Sequence, residues 1–555
     1  MSVRLLVRKY ALQNAYLFGG RADEKAVMGK VMAEDPSLRS RTSEVLQIVR
    51  EVVAEVNSLP LERQEEDLAS IDPALLKREK KERTTELPEL PNVKSKVVMR
   101  LAPYPSGALH IGHSRMAILN DEYVKKYNGK LILVFDDTIG SEEKIPVPEA
   151  YELIKEGLDW LGVRYHEVVY KSDRMHVFYE WGERVLKDGH AYVCECPVDR
   201  LRAMRESGEE CEHRCTSVEE NIEKWFRMLD GYYGEGEAIV RLKTDMKHPN
   251  PAFRDRVLFR IRDRTHPRTG DRYKVWPMLE FSWAVDDHLL GVTHILRGKD
   301  LIIEDEMQRY LWNILGLPER EFVHYGMLRL KEMKLSKSQM SREIEKGVYA
   351  GVDDPRTWTL QSLMKRGIQP QAVRNFIVSF GVSLTDVEVA ADNLYAENRK
   401  LIEERANRYS FVPDPVKIRL VGKPENLKVV HAPLHPDNKE RGSRSLDVSN
   451  DLVFVARSDF DANLGKETRL KDFCNVILDR EAKFTSKDVK DIPKIQWSDA
   501  DLPLRVVMPD GSILEGHGES SLRNVKPGDL VQFERIGFAR IDNIVGGVTA
   551  YFAHR

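Results

Sequence analysis

The sequence predicts a multidomain α/β protein: a parallel sheet interrupted by an insertion, preceded by a helical extension and followed by an all-β half. Three observations predict it. Apolar residues recur at helical spacing near the start, strand-like runs alternate with helical stretches from residue 96, and short alternating runs fill the chain from about Val416. A length of 555 residues exceeds what one hydrophobic core supports, so roughly three to five domains are expected.

Residues 1–92 read as a helical extension with a linker. Val45, Ile48, Val49, Val52, Val53 and Val56 form one apolar helix face. The charged run LKREKKERTTELPELP closes the segment. Its Lys77, Arg78, Lys80, Lys81 and Arg83 could touch RNA, although a solvated face is the simpler reading. VVMRLA then reads as a strand, with a helix from about Gly112 to Tyr127. LILVF is a second buried strand ending at Asp136–Asp137, and a helix follows over 149–161.

The α/β parts are expected over 93–190 and 276–350. Residues 191–275 fit the alternation poorly and read as the insertion, with a helix over 218–229 and strands in EAIVRLK and VLFRIRD. HLLGVTHILRG is expected to resume the sheet as a strand-like run, with a helix near 303–315. Residues 351–412 look helical again. From 413 to 555, VKIRLV, LKVVHA, DLVFVA, NVILD, LPLRVVM and LVQFERIGFARID are all-β signals, consistent with one or two barrels.

Hydrophobic residues make up 42% of the chain and charged residues 32%, as in a folded protein with a highly charged surface. No stretch is long and apolar enough for a membrane span, and the first twenty residues carry no secretory signal, so a cytoplasmic protein is expected. The net charge of -3 neither advertises nor excludes a nucleic-acid partner.

The stretch PYPSGALHIGH, Pro103 to His113, follows the first strand directly, where ligands of parallel α/β domains bind. His110 and His113 at the mouth of the next helix can present imidazole donors to phosphate oxygens. Unpaired amides of the helix N-terminus would assist. Gly107 permits a sharp turn, and at Gly112 a side chain could block an adenine. Far downstream, Lys334-Leu335-Ser336-Lys337-Ser338 sets two mobile ammonium groups beside hydroxyls, suited to a phosphoryl group whose charge changes during reaction. Each motif alone is ordinary; the pair in this order is not.

With HIGH at 110–113 and KLSKS at 334–338, the sequence resembles the class I aminoacyl-tRNA synthetases, with Leu335 where Met is usual. RLAPYPSGALHIGHSR, FDDT, DDHLLGVTHILRGKD, LHPDNKERGSR and RLKDFCNV together resemble the glutamyl-tRNA synthetases of archaeal type, within the glutamyl/glutaminyl subfamily. The resemblance runs from about residue 95 to the end, and archaeal members also carry a helical extension.

It implies a Rossmann-like catalytic domain, an acceptor-stem-binding insertion and anticodon-reading β-barrels. It also implies ATP with Mg2+, L-glutamate and tRNA-Glu as substrates, tRNA-Gln as a further acceptor, and a monomer. Pro103, Gly107, His110, Gly112, His113, Ser336, Lys337 and Ser338 would bind ATP, with Lys337 stabilising the transition state and Lys334 helping.

Arg100, at the end of the first strand, is placed to grip a carboxylate bidentately. The resemblance gives that arginine, and Arg297 of THILRG, to the glutamate side chain. The competing reading pairs each with a protein carboxylate such as Asp136 or Asp286. Three positions depart from the family wording. Leu279 stands where a tyrosine is common, Val134 where an arginine precedes the phenylalanine, and Ile139 where Asn or Asp follows FDDT.

Four of the five cysteines, Cys194, Cys196, Cys211 and Cys215, fall in the insertion as two close pairs, a spacing that suits a structural Zn2+. His213 or His190 could replace one ligand. Lys439, Arg441 and Arg444 are candidate tRNA contacts. The alternatives are a glutaminyl-tRNA synthetase, another adenylate-forming transferase, or a non-catalytic tRNA-binding protein. The large all-β half argues against a small transferase, and the intact phosphate-handling set argues against a pure binding module.

Overall fold

A computed structural model describes residues 2–35, 38, 41–76, 86–140, 145–333 and 337–555, excluding the side chains of 33, 74, 76, 337 and 338. The chain divides into two compact units, Met1–Thr84 and Thr85–Arg555. Lys77, Arg78, Lys80, Lys81 and Arg83 lie outside the described residues.

The first unit contains helices α1 (Val3–Leu17), α2 (Glu24–Glu34), α3 (Thr42–Asn57) and α4 (Leu61–Ile71). The Val45/Val49/Val52/Val53/Val56 face of α3 is buried with Val7, Leu12, Val27 and Leu68. Ser2 and Asp23 cap α1 and α2 by accepting from Leu5 N and Ala26 N. Buried Gln64 donates to the carbonyls of Gly20, Val56 and Leu59. The unit ends before ELPELP, because Leu87 and Leu90 pack into the core of the second unit and Leu90 N donates to Tyr127 Oη at 2.8 Å.

In the second unit, β1 (Val98–Leu101), β2 (Lys130–Phe135) and β3 (Glu167–Tyr170) form a parallel sheet in the order 1-2-3. Helices α5 (Ile111–Lys126) and α6 (Pro148–Trp160) connect them. On β2, Leu131, Leu133 and Phe135 enter one hydrophobic cluster and Ile132 and Val134 another, so both faces are covered.

Helix α7 (Met175–Lys187) leads into the insertion. There β4 (Ala191–Cys194), β5 (Ile239–Leu242), β6 (Val257–Ile261) and β7 (Val275–Pro277) form an antiparallel sheet in sequence order. Helices α8 (Val198–Ser207) and α9 (Val218–Leu229) lie between β4 and β5.

The parallel architecture resumes with β8 (His294–Gly298) and β9 (Glu321–Tyr325). Thr293 N, just before β8, donates to Val98 O of β1 at 2.9 Å, which joins the later pair to the first three strands. The HLL of HLLGVTHILRG is not strand: His288 and Leu289 end α10 (Leu279–Leu289), whose apolar positions pack all round because the helix is buried. Helix α11 (Ile302–Ile314) follows β8, and α12 (Lys337–Glu345) follows the KLSKS segment.

The all-β half resolves into two seven-stranded sheets. In one, the edge strands are Asn407–Tyr409 and Phe411–Pro413, separated along the chain by Ser410 alone. In the other they are Lys494–Ile495 and Trp497–Ser498, separated by Gln496 alone. Each sheet therefore curls until its two edges meet at one residue, leaving almost no open edge. The seams touch, with Ser410 Oγ donating to Gln496 Oε1 at 2.9 Å.

Candidate active site and metal centre

The strand β1 ends in the turn that carries the HIGH tetrapeptide, and α5 starts on it. His110 is the N-cap. Its Nδ1 accepts from Gly112 N (3.0 Å), and His113 Nδ1 accepts from His110 N (3.3 Å). With both Nδ1 atoms accepting, each neutral ring carries its proton on Nε2, and the two rings lie 3.8 Å apart. The helix amides behave differently from expectation. Ile111 N donates to Trp358 O (3.1 Å), Gly112 N to His110 and His113 N to His110 O (2.8 Å). The first turn is thus already paired.

Gly112 is constrained from within: a Cβ there would lie 2.9 Å from His110 Cε1 and 3.0 Å from its Nδ1. Gly107 adopts φ +147°, a region that glycine alone takes readily. Pro103 O accepts from Asp136 N (3.2 Å), which ties the HIGH loop to the end of β2.

Lys334, Leu335 and Ser336 lie outside the described residues, as do the side chains of Lys337 and Ser338. The helix that begins at Lys337 reaches the HIGH loop, since Ser341 Oγ donates to Ser106 O at 3.2 Å. The helix that begins at Lys337 therefore packs against the HIGH loop.

Arg100 and Arg297 converge on the Trp283 ring, with guanidinium carbons 4.9 and 5.0 Å from its centre, and Lys171 Nζ lies 5.3 Å from it. Three carboxylates balance these cations, and a fourth pairs with Arg174. Arg100 binds Asp287 through Nε (2.5 Å) and Nη2 (3.0 Å), Arg297 Nε binds Asp305 (2.8 Å), Lys171 binds Asp136 (2.9 Å) and Arg174 binds Asp286 (2.8 Å). Each arginine does pair with a protein carboxylate, but with Asp287 and Asp305, not Asp136 or Asp286.

The two arginines are not equivalent. Burial opposes the charge on Arg100, but Asp287, Asp136 and Asp286 outweigh it and raise its pKa. Burial lowers that of Arg297, and the charge of Arg100 opposes it further. Arg297 Nη1 and Trp283 Nε1 are buried without a hydrogen-bond partner, and so is Asp286 Oδ2, whose pKa burial raises. The orphaned donors of Arg297 and Trp283 and the orphaned acceptor of Asp286 are what a small ligand with a carboxylate and an ammonium group would complete.

Asp137, next along, accepts from Ser172 N (2.8 Å), Ser172 Oγ (2.7 Å) and Tyr151 Oη (3.0 Å), while His266 Nε2 donates to its carbonyl (2.7 Å). Val134 and Ile139 are fully buried in apolar clusters, so these two departures are packing changes. Leu279 is half-buried at the first turn of α10. Lys171 and Trp283 lie in no motif that the sequence reading recognised.

The metal centre differs from expectation in one ligand. Cys194, Cys196, Cys211 and His213 bring their ligand atoms within 4.8 Å of one another. Cys215 is exposed and takes no part. Residues Glu212–Cys215 form a 3₁₀ turn of three residues per turn, which puts Cys215 on the outward face with Glu212. A tetrahedral zinc with Zn–S of about 2.3 Å and Zn–N of about 2.0 Å requires S···S near ~3.8 Å and S···N near ~3.5 Å. The corresponding separations are 3.7 Å for Cys194–Cys211, 3.3 Å for Cys196–His213 and 3.9 Å for Cys194–His213. The donor set fits zinc.

His213 offers Nδ1, and its Nε2 faces Glu195 at 3.6 Å, a carboxylate held in turn by Lys224 (2.8 Å) and Tyr233 (2.7 Å). Hydrogen bonding with Cys194 and Tyr192 and the Arg241 guanidinium hold the Cys211 thiol below its ordinary range, which favours the thiolate that a metal needs.

Of the candidate RNA contacts, Lys439 is exposed, and exposed Arg441 donates twice to Asn407 Oδ1. Arg444 is not available: it is buried, with Nε 2.8 Å from Glu519. Its place on an inward-facing strand position, beside a buried acid, decides this.

Residues 96–404 match the family described as tRNA synthetases class I (E and Q), catalytic domain. Residues 406–495 and 487–542 match its two anti-codon binding domains. A glutamate–tRNA ligase of Methanocaldococcus jannaschii is 44% identical over 98% of this chain and 99% of its own. Those of Pyrococcus abyssi and Thermococcus kodakarensis are 45% identical over the full length of both chains. Family match, length and the paired phosphate motifs agree, and the chain belongs to the class I tRNA synthetases of the glutamyl and glutaminyl type.

Proposed function

We propose that the protein is a glutamate–tRNA ligase: it joins L-glutamate to ATP as glutamyl-adenylate, releasing pyrophosphate, and passes the glutamyl group to the 3′ end of tRNA-Glu. The observation that carries this reading is the Arg100–Arg297–Trp283 cluster beside the HIGH turn, in a chain whose relatives share its full length. Two arginines about one small cleft favour an acidic amino acid. Arg297 Nη1 and Trp283 Nε1 are the donors that would receive a carboxylate, and Asp286 Oδ2 the acceptor for its ammonium group. Binding the substrate satisfies atoms that are otherwise buried and unpaired, which favours the occupied state.

ATP with Mg2+ lies with its phosphates at His110 and His113, the neighbouring backbone of Pro103, Gly107 and Gly112 admitting the nucleotide. Lys334, Ser336, Lys337 and Ser338 close over the phosphates. The glutamate α-carboxylate attacks the α-phosphate, and no protein nucleophile takes part. The enzyme acts by holding the reactants in line and by placing positive charge where it develops.

Residues 93–190 and 276–350 form the catalytic domain in two halves, and 191–275 the acceptor-stem insertion, shaped by a structural zinc on Cys194, Cys196, Cys211 and His213. Residues 351–412 contact the stem, 413–555 read the anticodon with Lys439 and Arg441 at the RNA, and 1–92 form the extension and linker. The protein acts as a cytoplasmic monomer, and tRNA-Gln is a second acceptor. Among the described residues no helix is long and apolar enough to cross a membrane. The test is pyrophosphate exchange with ATP in the presence of tRNA: glutamate should support it, and exchange driven by neither glutamate nor glutamine would end the proposal. Charging of isolated tRNA-Gln decides the second acceptor.

A further inference from the structure

Trp358 holds a backbone conformation that its side chain disfavours. Its φ is +56°, and among the described residues eight non-glycine residues take positive values. Six of the eight are Asn or Asp, which tolerate the left-handed region, whereas Trp358 is the only aromatic. A strained residue of this kind persists only where its surroundings over-determine it, and such residues cluster at functional sites.

Both neighbours of Trp358 are fixed. Thr357 Oγ1 donates to Val352 O (3.0 Å), and Thr359 Oγ1 donates to the same carbonyl. Thr359 Oγ1 also accepts from Ser362 N (3.0 Å), capping helix α13 (Leu360–Arg366). The reversal of the chain therefore falls on residue 358. Its ring is 6% exposed and stacks on Tyr395 with centres 6.4 Å apart. The guanidinium of Arg366, fully buried, lies 5.1 Å from the ring centre. That guanidinium is anchored in turn, donating to Tyr395 Oη (2.8 Å), Phe552 O (3.2 Å) and Ala553 O (2.9 Å).

The strained residue delivers its carbonyl to the HIGH turn. Trp358 O accepts from Ile111 N (3.1 Å), Leu360 N donates to Leu109 O (2.9 Å), and between these two bonds His110 and Thr359 pair as an antiparallel bridge. The backbone on either side of His110 is thus tied to 358–360, in addition to the reciprocal cap with His113. The ring faces the other motif. With Met333 and Met340 it lines a cavity of about 380 Å³. Met333 immediately precedes Lys334, and Met340 lies in the first turn of α12.

We propose that Trp358 is a positioning residue of the ATP site, its left-handed backbone setting the orientation in which the HIGH turn meets the phosphates. The proposal rests on the reading of that turn as the phosphate site. Relaxing φ at residue 358 would swing its carbonyl away from Ile111 N and leave that amide without its acceptor. The first turn of α5 would then shift, and the His110–His113 pair with it.

The test compares Trp358→Gly with Trp358→Val in the full-length protein. Both lose the ring, and valine keeps more apolar volume, so packing alone ranks valine first. The proposal ranks glycine first. Trp358→Gly takes the left-handed region freely and should bind ATP, measured by calorimetry, within about threefold of wild type. Trp358→Val, whose branched side chain resists that region, should bind ATP about tenfold more weakly. KM for glutamate in tRNA charging should be unchanged in both. Valine binding ATP as well as glycine does would overturn the proposal, and so would a matching rise in KM for glutamate, the mark of general loosening. A measurement on wild-type protein covers the case in which neither variant folds. Hydrogen–deuterium exchange at the Ile111 amide, without ATP, should be slowed at least about a hundredfold relative to an unfolded chain. Exchange at the rate of an open helix terminus would overturn the proposal as well. ATP binding in the predicted order by a protein that charges no glutamate would sink the function above and spare this inference; glutamate charging with the reverse order would do the opposite.

Discussion

Gly112 and Arg297 carry the sharpest residue-scale consequences. A methyl at Gly112 meets the His110 ring at 2.9–3.0 Å, so Gly112→Ala should displace that ring and break the reciprocal cap. The expected outcome is a fall of about a hundredfold in kcat/KM for ATP, the scale of a catalytic group misplaced by an ångström, in a protein that still folds. Unchanged ATP kinetics would show that His110 does not position the phosphates. Arg297→Lys keeps the charge but loses the fork that serves Asp305 and leaves Nη1 for substrate. KM for glutamate should rise about ten- to a hundredfold, with a much smaller change in KM for ATP, as steady-state charging kinetics will report. Both positions were legible from motif wording. Their partners were not: Asp287 and Asp305 reach the arginines only through the packing of α10 and α11, and nothing in the local sequence marks which of several carboxylates will be near. Arg444 shows the reverse failure, a basic residue in a polar-looking run that strand alternation turns inward to Glu519.

Two elements make separable predictions. In the cysteine–histidine cluster, the proposed fourth ligand is His213 rather than Cys215, because the 3₁₀ turn sends Cys215 outward. Metal analysis of protein purified without chelator should find about one zinc per chain, retained in Cys215→Ser and reduced in His213→Asn. The opposite pattern would restore the four-cysteine reading. Spacing alone marked three of the four clustered residues, but replacing Cys215 by His213 required knowing the turn type.

The second element is the strand Val548–His554. The His554 ring accepts from Asn398 Nδ2 at 3.0 Å through Nε2 and donates from Nδ1 to Arg555 O at 2.8 Å, an arrangement of the neutral form. Burial, reinforced by Arg399 and Arg366, holds its pKa down from 6.5 to about 4. Since the folded value is depressed, the unfolded chain takes up the proton first as pH falls. The stability contributed by the neutral ring is therefore complete above about pH 6.5 and is lost as pH falls through about 4. The loss is on the order of 3 kcal/mol at most. His554→Gln should flatten that part of the urea-midpoint profile between pH 7 and pH 4; a parallel decline in both proteins would contradict it.

At the scale of the whole molecule, the order of helical unit, split parallel sheet, antiparallel insertion and all-β half was legible in the sequence, because each change of layer changes the apolar period. The closure of the two barrels was not. It depends on edge strands that adjoin in the chain at Ser410 and at Gln496 but pair with segments remote in sequence, Asn407–Tyr409 with residues 531–533 and Phe411–Pro413 with residues 516–518. The catalytic reading depends on the same kind of closure, since the helix after KLSKS must lie against the HIGH loop, as Ser341 and Ser106 show. The substrate depends on fewer residues, chiefly Arg100, Arg297 and Trp283. The most direct test is aminoacylation of total tRNA with labelled glutamate and labelled glutamine in parallel. The account predicts that glutamate alone is attached, in an ATP-dependent reaction. Attachment of glutamine alone, or of neither, would contradict it.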